Sequence, residues 1–148
     1  MNNTTKYGLS TALALIIYFL IMKLLGLEGN FALRFFNFFI LISGCYFLLK
    51  KIYSEGEGGT SYFTGLISGV VLTVTAVVVF TVFMAVYVLF IDPSFMAILE
   101  ESQIWGSHLE LEQAAFAIII EGIASGVVIS FALMQYFKKY IDNGVKRA

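Results

Sequence analysis

Glu121 stands in the apolar string Ala117-Ile118-Ile119-Ile120-Glu121-Gly122-Ile123, with no other charge within eight residues on either side. An ionisable group inside hydrocarbon costs a few kcal/mol unless it is paired, protonated or turned to water. Two cations near the ends of earlier apolar runs, Lys23 and Arg34, could neutralise it. Glu121, Arg34 and Lys23 therefore form a candidate intramembrane charge cluster with three readings. It is a structural ion pair that sets helix register, a proton or cation site, or a neutral carboxyl hydrogen-bonded to a neighbouring helix.

Other groups carry less chemistry. His108, the single histidine, has Glu110 and Glu112 nearby, but no second histidine or cysteine completes a ligand set, so a solvated loop is expected and no metal. Cys45 is the one cysteine and lies in an apolar run. It cannot form an intrachain disulfide, and it reads as a small hydrophobe. Serine or cysteine nucleophiles lack a base in reach. The glycine-rich loop 54–61 lacks the Gly-Lys-Ser/Thr ending and the preceding strand of a phosphate loop, so it reads as a linker. No catalytic residue, cofactor site or nucleic-acid-binding patch is expected.

The elements that must position these residues are four apolar runs, at about 7–25, 31–49, 62–91 and 114–137. Each is long enough to cross a ~30 Å hydrocarbon core at ~1.5 Å per residue. Apolar residues make up 59% of the 148-residue chain and charged residues 13%, above the ~45–50% apolar share of a soluble domain. The expected fold is an all-α integral membrane protein, a single domain of four transmembrane helices in an antiparallel bundle. The first run is too long, too weakly basic at its start and too poor in small residues at its end for a cleaved signal peptide. The third is rich in valine and threonine, which in water would favour strand. In lipid an unpaired strand leaves its backbone unsatisfied, so helix is expected.

Short basic flanks orient such a protein. Four spans put both termini and the middle loop on one side, which collects Lys6, Lys50, Lys51, Lys138, Lys139, Lys146 and Arg147, against Lys23 and Arg34 on the other. Both termini are expected in the cytoplasm. On the outer side, Gly26 to Asn30 forms a turn tight enough to make helices one and two a hairpin. Between helices three and four, Asp92-Pro93 is a helix-start signal. Phe95, Ile98 and Leu99 follow at helical spacing, with Glu100 and Glu101 opposite. A short interfacial helix within 92–113, lidding the bundle, is expected.

Small residues recur every four positions at Ser61, Gly65, Gly69 and Thr73, and at Gly122, Gly126 and Ser130. Such stripes let backbones approach closely, and packing is what holds helices together in lipid. Gly65, Gly69, Gly122 and Gly126 are thus candidate packing positions, between helices three and four of one chain or between two chains. A similarity between 42–51 and 129–139 leaves open a repeated hairpin related by an axis along the membrane normal; interface physics alone also produces helices ending in Tyr-Phe and paired lysines.

The order Lys6-Tyr7-Gly8-Leu9, a glycine-bearing loop before helix three, Ile91-Asp92-Pro93-Ser94-Phe95 after it, and a glycine-rich fourth helix ending in lysines resembles an uncharacterised family. It comprises small bacterial four-span inner-membrane proteins, known as a domain of unknown function, and the resemblance covers nearly the whole chain. It implies a bacterial inner membrane and a four-helix fold, and no activity. The function expected is that of a non-enzymatic structural, assembly or accessory membrane protein. The alternative is a small oligomeric ion or solute transporter or channel using Glu121. Expected partners are the lipid bilayer and either a second copy or another membrane protein, with no nucleic acid.

Overall fold

The computed structural model describes residues 3–27, 31–54, 61–97 and 111–145. Four long helices account for nearly all of them: α1 (Asn3–Leu24), α2 (Phe31–Ser54), α3 (Tyr62–Phe90) and α4 (Leu111–Val145). No strand occurs among the described residues, the valine-rich α3 included. Each helix contains a stretch long and apolar enough to cross a membrane: Asn3–Leu24, Phe35–Tyr53, Tyr62–Phe90 and Leu111–Lys138. The protein is an all-α, multi-pass membrane protein.

The helices outrun the apolar runs that generate them. α2 continues through Lys50 and Lys51 because its last turns still pack: Ile52 is buried, and the Tyr53 ring stacks on Phe137 with centroids 5.8 Å apart. α4 begins at Leu111 and ends at Val145, since a helix backbone satisfied by its own hydrogen bonds can extend past the hydrocarbon into the interface. α1 stops at a Schellman motif. Gly26 takes the left-handed φ of 66° that the motif requires, Leu27 N–H reaches the Met22 carbonyl and Gly26 N–H the Lys23 carbonyl, both at 3.0 Å.

α3 borders all three other helices, while α1 and α4 flank it with at most marginal contact between themselves. Paired positions show the registers. Along α3 and α4, Gly65 faces Met134, Gly69 faces Ser130, Thr73 faces Gly126 and Val77 faces Gly122, numbers rising on one helix as they fall on the other. α1 follows α3 instead in the same sense, Gly8 lying against Leu72 and Thr75, and Phe19 against Phe83 and Tyr87. Where the four helices meet, Leu48, Leu49, Leu72 and Met134 are wholly buried.

After α3 the chain turns sharply. Asp92 Oδ1 accepts the Ser94 backbone N–H at 3.2 Å, capping a turn that becomes helical at Phe95. Phe95 is folded back under that turn, 2% exposed, among Met84, Val88 and Phe19. The remainder of the expected interfacial helix, with Ile98, Leu99, Glu100 and Glu101, lies outside the described residues, as does His108.

Candidate functional site

The structure separates two of the three charged candidates, Lys23 and Glu121. Lys23, at the end of α1, pairs with Asp92 just beyond α3, and Asp92 also accepts a bond from the Ser94 hydroxyl. α1 and α3 are neighbours with the same direction, so their equivalent ends bring the ammonium and carboxylate together. Lys23 thus turns to Asp92, and Glu121 sits on α4, across α3 from it. The Arg34 side chain lies outside the described residues. Asp92 is the functional-type residue that sequence reasoning used only as a helix cap. Its signal was its place one residue past the end of an apolar run, level with Lys23 once α1 and α3 are known to be adjacent.

Glu121 is exposed, on the face of α4 that also presents Ile120, Val128 and Phe131. Among the described residues none pairs with it. Its helix starts at Leu111, so ~15 Å of helix precedes it, more than the ~10 Å that counting from 114 suggests. The next residue, Gly122, rests on Val77, close to the middle of α3. The carboxyl therefore faces outward from the bundle at mid-depth.

The four glycines line the α3–α4 seam. A β-carbon on Gly69 would lie 2.5 Å from Ser130 Oγ, and one on Gly122 would lie 2.5 Å from Val77 Cγ2; one on Gly126 would overlap the Thr73 side chain, and one on Gly65 would overlap Tyr53 and Met134. Beside this seam the Cys45 thiol of α2 donates to the Gly69 carbonyl at 3.8 Å and sits 3.6 Å from Thr73 Oγ1. Among the described residues no base lies beside this buried thiol, which packs against Gly69 and Thr73. Among the described residues no cluster of three His, Cys, Asp or Glu side chains could hold a metal.

The Lys23–Asp92 clasp leads to a pH dependence. The Lys23 ammonium foremost, then the Ser94 hydroxyl, hold the Asp92 carboxyl below the usual carboxylate range. A group whose value is lowered on folding stabilises above its unfolded value near ~3.9, and that stabilisation is lost as pH falls through the lower folded value. Asp92→Asn is expected to melt below the wild type at pH 7, and the gap should close as pH drops below about 4. Thermal melts in detergent at pH 7 and pH 3 check this; an equal gap at both contradicts it.

A second feature went unread in the sequence because its residues are scattered hydroxyls and rings. Between α1 and α2 runs an open groove of about 580 Å³, walled by Tyr7, Ser10 and Ala14 on one side and Phe39, Ser43 and Phe47 on the other.

With this geometry in place, a comparison with protein families matches residues 6–139 to one described as "Protein of unknown function (DUF4199)". No curated protein and no solved structure matches the chain.

Proposed function

The chain belongs to the DUF4199 family, whose description assigns no activity, and from its geometry we propose a non-enzymatic assembly or accessory membrane protein that associates side by side through the outward face of α4. The observation that carries this reading is Glu121, exposed at mid-depth on that face. A carboxylate turned to lipid there costs about 2.5 to 3.5 kcal/mol, and a neighbouring membrane helix offering a donor or cation removes the cost. Ala124 and Ala132 are exposed on the same side, and small residues permit close approach of a second helix. A second copy of this chain is the first partner to test. The basic flanks support an inner-membrane setting with both termini and loop 54–61 in the cytoplasm. Impermeant labelling of a cysteine at position 56, in a Cys45→Ala chain, from outside intact cells would refute that orientation.

One variant pair tests the association. Glu121 has no described partner within the chain, so Glu121→Leu should leave the melting of the bundle within about 0.5 kcal/mol, the scale for surface substitutions. The same variant should reduce the assembled mass in mild detergent to that of the 16.4 kDa chain. A Glu121→Leu protein as assembled as the wild type would overturn the reading.

The mid-depth carboxyl also favours, as a second reading, a small oligomeric proton- or cation-coupled transporter. In that case Glu121→Gln keeps the assembly, since the amide preserves shape and hydrogen bonding, and abolishes proton-coupled flux in liposomes. An assembled Glu121→Gln protein with unchanged flux removes transport.

A further inference from the structure

We propose that the groove between α1 and α2 is a binding site for one acyl chain of an anionic glycerophospholipid, its phosphate held at the Lys6 and Lys50 end. On α1 the groove runs from Tyr7 to Tyr18, and on α2 from Phe36 to Phe47, eleven residues or ~16 Å of helix each. That is about half of a ~30 Å hydrocarbon core, the depth of a single leaflet. The groove is closed at the far end. Tyr18 donates to the Leu33 carbonyl at 2.8 Å and its ring lies 6.2 Å from that of Phe36. A chain entering from the lysine-bearing end thus meets a floor at the depth where its own leaflet stops.

α1 and α2 touch closely where Thr11 lies against Gly44, a position at which a β-carbon would overlap the threonine hydroxyl, and the groove opens to one side of that crossing. Thr11 and Ser43 donate to carbonyls of their own helices, at 2.8 and 2.9 Å, so their hydroxyls are already met, and Phe36, Phe39 and Phe47 supply apolar ring surface. A recess of this kind in hydrocarbon forfeits dispersion contacts unless something apolar fills it.

Residues three and four apart share a helix face, so Lys6 lies on the Ser10 edge of the groove and Lys50 on the Phe47 edge. Both are exposed, at the same end and on opposite rims. A basic pocket between membrane helices at the headgroup level attracts a lipid phosphate, at roughly 1 kcal/mol or about fivefold in binding per lysine. Walls and floor hold the acyl chain, and the two lysines at the rim select an anionic headgroup over a zwitterionic one.

Native mass spectrometry of the full chain in mild detergent, with equimolar dioleoyl phosphatidylglycerol and phosphatidylcholine, tests the site. The wild type should retain phosphatidylglycerol in preference. Lys6→Ala and Lys50→Ala should each reduce that preference about fivefold. Ala14→Phe and Ser43→Phe, one from each wall and both at exposed positions, should fill the groove and abolish retention, whereas Val82→Phe, on the exposed side of α3, should not. Circular dichroism confirms that each variant remains helical. Equal retention of the two lipids by the wild type overturns the proposal, as does a preference untouched by the lysine variants or undiminished retention in both filled grooves.

Discussion

Gly126→Leu is expected to destabilise the bundle by about 3 kcal/mol or more, while Val127→Leu, one position along, changes it by less than about 0.5 kcal/mol. The first β-carbon alone would overlap the Thr73 side chain. Thr73 cannot swing away freely, being β-branched, 1% exposed and bonded to the Gly69 carbonyl at 3.0 Å. α3 and α4 must therefore separate, and with them the contacts at Gly122 and Gly69. Val127 is 45% exposed, so its enlargement meets lipid. Thermal melts of the two variants in one detergent decide the matter, and equal melting temperatures would remove the α3–α4 seam from the account of stability.

Phe95→Ala is expected to cost about 3 to 5 kcal/mol, the range for emptying a buried phenylalanine site. The ring meets Phe19 edge-on at 5.4 Å and Tyr87 edge-on at 6.4 Å, so it ties the turn after α3 to both α1 and α3. Such aromatic pairs add about 0.5 to 1.5 kcal/mol beyond burial. Phe95→Leu, which refills part of the volume, should recover a large part of the loss. Comparable destabilisation by Phe90→Ala, whose ring is 80% exposed, would show that removal of any ring near this turn suffices.

The four membrane-crossing helices were legible because bilayer thickness acts on sequence as a length filter. Which way each helix faces was not. In water an amphipathic pattern separates core from solvent, but here both sides of α1 and α3 are apolar, since lipid and core want the same residues. The direction of Glu121 was hidden for that reason. The Lys23–Asp92 pair joins residues 69 positions apart, and its recognition requires knowing that α1 lies beside α3. The similarity of 42–51 to 129–139 meets a related difficulty. Two equivalent hairpins would give α1 and α4 the kind of contact that α2 and α3 share, whereas α3 lies between α1 and α4. Small residues at four-residue spacing were readable as places of close approach, but the Thr73 side chain that fills the space over Gly126 was not.

Several hydroxyls of these helices are bonded four residues back along their own chain: Thr11 to Tyr7, Ser43 to Phe39, Thr73 to Gly69, Thr75 to Val71 and Thr81 to Val77. Each of these polar side chains carries its partner with it. Thr73, Thr75 and Thr81 of α3 therefore need no neighbouring helix to satisfy their hydroxyls inside hydrocarbon. Lys23 and Asp92 differ, because their pairing joins the end of α1 to the turn after α3 and requires the two helices to lie side by side. The clasp between them therefore reports on the assembled bundle, where the hydroxyls bonded along their own helices report only on the helix that carries them.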